Sequence, residues 1–101
     1  MMGSLDLLDV DPRTLHLPTS RLSGADPVKL HDQMVRYGES VARMPPLLAY
    51  RGSDGELMIY DGVTRATRVA KLLPGTLVRV EVIRTVARPF GHLPRVGDRL
   101  P

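Results

Sequence analysis

The chemistry in this sequence is densest in Met58-Ile59-Tyr60-Asp61-Gly62-Val63-Thr64-Arg65-Ala66-Thr67-Arg68. The run reads as a strand that passes through a tight Asp-Gly turn directly into a helix bearing two arginines near its start. The first N–H groups of a helix lack intrahelical partners, and the macrodipole adds about half a positive charge there. An anion is the natural ligand for such a turn. Gly62 has no side chain to hold a phosphate off the backbone, and Arg65 and Arg68, three residues apart, lie on neighbouring parts of one helical face. The bland alternative is a plain connection in which Asp61 or Thr64 caps the helix and the arginines are solvated. Asp61 is the acidic residue certain to lie near the turn. It is the candidate catalytic group, to hold Mg²⁺ or orient a nucleophile, although an Asp in this position more often caps a helix or pairs with an arginine.

The elements needed to position this turn can be read on both sides of it. Leu47 to Arg51 and Glu56 to Tyr60 flank Gly52-Ser53-Asp54-Gly55, a composition that closes an antiparallel hairpin and delivers Asp61-Gly62 to the end of its second strand. In the helix that follows, Val63, Ala66, Val69, Ala70 and Leu73 share one face. Thr67, Arg68 and Lys71 fall outside it and Arg65 near its boundary. Pro74-Gly75 ends that helix, and Leu77 to Arg84 alternates as a strand with one covered face. Upstream, Asp26 is placed to cap, Pro27 to start and Gly38 to stop a helix over Pro27 to Tyr37, with Leu30, Met34 and Tyr37 as its buried stripe. His31 and Asp32 are adjacent, so their side chains diverge and do not face a common substrate. Glu39 to Arg43 allows one more helical turn before Met44-Pro45-Pro46. A short strand over Thr14 to Leu17 is expected from the alternation of Leu15-His16-Leu17, with His16 on the polar, solvated phase.

With Met44-Pro45-Pro46-Leu47-Leu48 before it and Pro74 to Ile83 after it, the segment resembles the ParB N-terminal/sulfiredoxin-like domain family. In that family a hairpin leads into a Gly-x-x-Arg turn, an alanine- and leucine-rich helix and a closing strand. Gly62-Val63-Thr64-Arg65 occupies the motif, and the resemblance spans residues 10 to 84. It implies an α+β fold, a small mixed β-sheet packed with two main helices. It also implies a nucleotide site, CTP or ATP with Mg²⁺, at Gly62, Val63, Thr64, Arg65 and Arg68. Arg21 joins this set from a loop after Pro18-Thr19-Ser20, where relatives often carry an arginine directed at the nucleotide. Activities in the family diverge among CTP-dependent clamps, ATP-dependent reduction of oxidised cysteine, serine phosphorylation and reported nuclease action. Relatives usually carry basic or hydrogen-bonding residues between the Gly and the Arg. Val63-Thr64 removes one phosphate ligand, so weaker triphosphate binding is expected.

Composition narrows the classes further. At 101 residues the chain is one domain, divided in expectation into a flexible N-terminus over 1–9, the domain over 10–84 and an arm over 85–101. With no cysteine, thiol chemistry and thiolate metal sites are excluded, and sulfiredoxin-type reduction with them. His16, His31 and His92 stand alone in the sequence, so no metal site is expected. No apolar run reaches the roughly 18 residues of a membrane span, and the N-terminus lacks a leader pattern, so a cytoplasmic protein is expected. Residues 1 to 83 hold ten basic and ten acidic residues, which leaves the net +3 in residues 84 to 101, with Arg84, Arg88, Arg95 and Arg99 against Asp98. A neutral body with only four aromatic residues argues against a nucleic-acid surface, the third functional class after a nucleotide site and a non-catalytic interaction module. The arm's Pro and Gly residues forbid long elements. Its apolar groups, Phe90 foremost, are expected to anchor it on its own domain or on a second subunit, which would make a homo-oligomer.

Overall fold

A computed structural model describes residues 6–101. The fold is α+β. Four strands, β1 (Leu7–Val10), β2 (Leu47–Arg51), β3 (Leu57–Asp61) and β4 (Val78–Thr85), form one sheet in the order β1-β4-β2-β3. The sheet is mixed: β1 with β4 and β2 with β3 are antiparallel, whereas β2 with β4 is parallel. Helices α1 (Pro27–Tyr37) and α2 (Val63–Leu72) pack against each other, and α2 makes the crossover between β3 and β4.

The local signals explain most of these elements. The Asp26 carboxylate accepts from Val28 N at 2.8 Å and Lys29 N at 3.2 Å, Pro27 opens α1, and Gly38 closes it at φ 53°. In the core, Leu47 and Ala49 of β2, Ile59 of β3 and Val78 and Val80 of β4 meet Ala66, Val69 and Ala70 of α2. Alternate residues of β2, β3 and the first half of β4 therefore face the helix, as the pleat requires. Two departures follow from packing. Tyr37, expected in the buried stripe of α1, is 46% exposed, and only Leu30 of that stripe is fully buried. Residues 39–43 form no helical turn; instead Arg43 adopts a positive φ of 59° in the irregular run toward β2.

The N-terminal region differs most from expectation. Residues 7–9, placed by sequence in a flexible N-terminus, form β1 together with Val10, because Leu8 and Val10 pair with Val80 and Val78 and Asp9 bonds Arg79 at 2.8 Å. Residues 1–5 of that expected segment lie outside the described residues. The strand expected over Thr14 to Leu17 is not one, since Pro12–Thr14 winds as a 3-10 turn. Residues 15–17 instead thread between β3 and the arm, with His16 N donating to Leu57 O, Leu17 N to Pro94 O and Val96 N to Leu15 O. His16, expected in solvent, is 1% exposed. Leu15 and Leu17 do face the core, but the far side is covered too: His16 Nδ1 lies 2.8 Å from Leu93 O and Nε2 2.8 Å from Glu56 Oε1.

The arm is part of the globule. Phe90 and Val96 are each 2% exposed, and Val96 belongs to the main core. Asp54, at the β2–β3 turn, accepts from Phe90 N at 3.1 Å and Gly91 N at 2.8 Å. The surface that the arm covers belongs to its own chain. Among the described residues no helix is long and apolar enough to cross a membrane.

Candidate functional site

Gly62 takes the left-handed conformation that the turn demands, with φ 114° and ψ 20°. A Cβ there would drive into Leu47 Cδ2 and come within 2.9 Å of Arg65 Nη2. Glycine is therefore required twice, by dihedral and by space. The position also decides how α2 begins. Neither Asp61 nor Thr64 caps it, so no side chain satisfies the first N–H groups of the helix. Gly62 O accepts from Ala66 N at 2.9 Å, which starts the regular helical bonding.

Arg65 projects from the first turn of α2 back toward the strand. Its Nη2 is 3.3 Å from Asp61 Oδ2 and its Nη1 donates to Pro45 O at 3.0 Å, holding the side chain to 17% exposure. Asp61 therefore pairs with an arginine rather than capping the helix, and its own side chain remains 67% exposed. Around the turn lies a cleft of about 300 Å³ walled by Arg21, Lys29, Asp61, Gly62, Thr64 and Arg65, with Val63 also in its lining. Six of the seven sequence-selected residues, Arg21, Asp61, Gly62, Val63, Thr64 and Arg65, are thus brought together. Among the described residues neither Arg21 nor Lys29 forms an ion pair. Asp26, the cap of α1, lies near enough that both cations contribute to lowering its pKa, after the larger effect of the hydrogen bonds from Lys29 N and Val28 N.

Arg68 is the exception. The helical face argument put it beside Arg65 and the outside of α2, yet it is 2% exposed and absent from the cleft. Its Nη1 donates to Gly38 O at 2.7 Å and Ser40 O at 2.8 Å, its Nη2 approaches Met44 Sδ at 3.6 Å, and its guanidinium stands 5.4 Å from the centre of the Tyr37 ring. Burial lowers its pKa, and the Tyr37 hydroxyl acts in the opposite sense. A long side chain at the edge of α2 reached the α1–β2 connection, which supplies carbonyls instead of a phosphate. Thr67, also expected outside, is buried with its hydroxyl bonded to Val63 O at 2.8 Å.

Lys29 and Gln33 of α1 also line the cleft, and the sequence did not mark them as site residues. Lys29 sits in the first turn of α1 with nothing local to distinguish it from a solvated lysine; only the packing of α1 against α2 brings it to the turn. A second, larger cavity of about 840 Å³ adjoins the cleft and shares Gln33, Asp61 and Arg65 with it. Its other walls include Tyr37, Met44, Pro45, Pro46, Leu48 and Arg68. Among the described residues no three His, Asp or Glu side chains gather as a metal site, so a Mg²⁺ ion would find only Asp61 in the cleft. No protein-family model matches the chain, and no curated protein matches it.

Proposed function

We propose that this chain binds a phosphate-bearing small molecule in the cleft at the start of α2. The observation that carries this reading is the convergence of three cationic side chains, Arg21, Lys29 and Arg65, on an uncapped helix N-terminus opened by Gly62. Each contributes differently. The free N–H groups offer directional donors to phosphate oxygens, and the macrodipole favours negative charge at that end. Arg65 is held in place by Pro45 O, so its planar fork is ordered before a ligand arrives. Arg21 and Lys29 bring charge from a different part of the chain, which closes the cleft on its other side. The resemblance to ParB-like domains implies CTP or ATP as the class of ligand, while Val63-Thr64 lacks one of that family's phosphate ligands. A carboxylate at the mouth, Asp61, is positioned to orient a nucleophile or a cation beside such a ligand.

Calorimetric titration with inorganic phosphate tests the reading. Wild-type protein is expected to bind, and Arg65→Ala and Arg21→Ala are each expected to weaken binding by about tenfold or more, the effect of losing roughly 1.4 kcal/mol of interaction. Arg21→Ala, at an exposed position without an ion pair among the described residues, should cost about 0.5 kcal/mol or less of stability. Arg65→Ala also loses the bond to Pro45 O and should cost about 1 kcal/mol, with the fold of both checked by thermal melting. Equal phosphate affinity in wild type and both variants would remove the site.

A further inference from the structure

We infer that the ligand is a phosphate monoester of a bulky, largely apolar alcohol, with its head in the cleft and its body in the adjoining 840 Å³ cavity. The inference rests on the phosphate site proposed above and concerns what is attached to the phosphate.

Three observations carry it. The first is adjacency: Gln33, Asp61 and Arg65 line both spaces, so the two lie side by side with the Arg65–Asp61 pair on their common border. At about 840 Å³ that cavity falls within the range of small-molecule sites, roughly 300–1,000 Å³, and it is far larger than a phosphate needs. The second is charge. Three cationic side chains against the single carboxylate of Asp61 leave the cleft at +2, which matches the nearly two negative charges of a monoester at neutral pH. A triphosphate without Mg²⁺ carries more charge than this cleft balances, and Asp61 is the one carboxylate in the lining that could help hold the ion. The motif positions that would answer a longer chain do not do so in the cleft: Val63 offers no side-chain donor, and Arg68 lies outside it with Nη1 bonded to Gly38 O and Ser40 O.

The third observation is the wall of the larger cavity. Tyr37, Met44, Pro45, Pro46 and Leu48 give it an apolar stretch that suits an aromatic or aliphatic body, while Ser40, Arg43 and Glu81 add polar groups to the same wall. Arg68, 2% exposed, lines this cavity with its Nε unpartnered among the described residues, so the bound body is expected to carry one acceptor there beside its apolar surface. The loop bearing the wall holds Arg43 at φ 59°, a conformation that costs a non-glycine residue energy and concentrates at ligand sites. An apolar body here gains burial without having to replace many lost water contacts.

Calorimetry on the full chain with inorganic phosphate, 1-naphthyl phosphate and CTP with Mg²⁺ decides the matter. The naphthyl ester is expected to bind at least about tenfold more tightly than phosphate, and CTP no more tightly than the naphthyl ester. Ala42→Trp fills the cavity from an exposed loop position, and Leu48→Thr thins its wall within a strand-compatible side chain. Each is expected to abolish the naphthyl advantage and leave phosphate affinity within about twofold, a difference of roughly 0.4 kcal/mol. Phosphate binding with no naphthyl advantage, or tighter binding of CTP, overturns the monoester inference alone. Failure of all three ligands to bind wild-type protein overturns the cleft and the inference together.

Discussion

Individual side chains in this protein are decided by the hydrogen bonds they can complete once buried. Arg68 shows this most clearly, because its guanidinium satisfies two carbonyls of the α1–β2 connection while paying the desolvation that lowers its pKa. Arg68→Met keeps the volume and removes the donors. It is expected to cost about 1–3 kcal/mol per carbonyl left unpaired, measured by urea denaturation, while phosphate binding at the cleft is retained. Stability equal to wild type would show that water replaces the guanidinium. Asp54 provides the counterpart among acids. Desolvation raises its pKa, but hydrogen bonds from Gly91 N, Phe90 N and Glu56 N outweigh it and hold the carboxyl below its ordinary value of 3.8. A depressed folded-state pKa stabilises the fold above the unfolded value, and this contribution disappears as pH falls through the folded one. Docking of the arm should therefore weaken below about pH 4. Asp54→Asn should flatten that acid limb in melting experiments relative to wild type; an unchanged limb would assign the acid sensitivity to other carboxylates such as Asp26.

Among the elements, the β2–β3 hairpin has the widest consequences, since its second strand delivers the phosphate turn and its loop receives the arm. Gly52 makes the second role possible. A Cβ at this residue would lie 2.7 Å from Asp54 Oδ1 and 2.9 Å from both Arg88 O and Phe90 Cδ2, and two of those three atoms belong to the arm. Gly52→Ala is expected to push the arm off, at about 1–3 kcal/mol for an overpacked contact. Limited proteolysis read by mass spectrometry should then cut between residues 86 and 93, with wild type protected; equal protection would mean that the arm shifts without releasing. The α1–β2 connection is held differently. It lacks regular bonding over residues 38–46 and relies on Arg68 and Arg65, both from α2, which bond Gly38 O, Ser40 O and Pro45 O. One helix thus sets both the phosphate turn and the wall of the cavity beside it.

At the scale of the whole molecule, a chain of this size leaves little room for spare parts. Its radius of gyration of 13.1 Å is that of a closed domain of about 100 residues, with the arm inside the globule. Phe90 and Val96 are each worth about 1.5–3 kcal/mol when buried, which is a large share of the 5–15 kcal/mol that stabilises a typical domain. Truncation at Thr85 is therefore expected to lower the melting temperature by more than about 10 °C, at roughly 4–8 °C per kcal/mol in a domain of this size. Light scattering on the same two chains reports whether their masses differ by more than the deleted residues. Identical melting temperatures would show the arm to contribute nothing, against the burial of Val96 in the main core.

The sequence by itself determined every element whose ends are written in local chemistry. The cap Asp26 and the Pro27 start placed α1, the Gly52-Ser53-Asp54-Gly55 turn placed the hairpin, and Gly62 with Pro74-Gly75 bracketed α2 to within a residue. The Gly62 turn and the Arg65 beside it were legible for the same reason, since the need for a glycine and unsatisfied N–H groups are properties of a few neighbouring residues. Tertiary structure decided what depends on partners distant in the chain. Residues 7–10 became a strand only because β4 offered Val78 and Val80 as partners, and His16 was buried only because Leu93 arrived from 77 residues away. Lys29 entered the cleft through helix packing. Arg68 left the phosphate turn because periodicity fixes where a side chain starts on a helix, whereas the carbonyls of Gly38 and Ser40 determined where it ended.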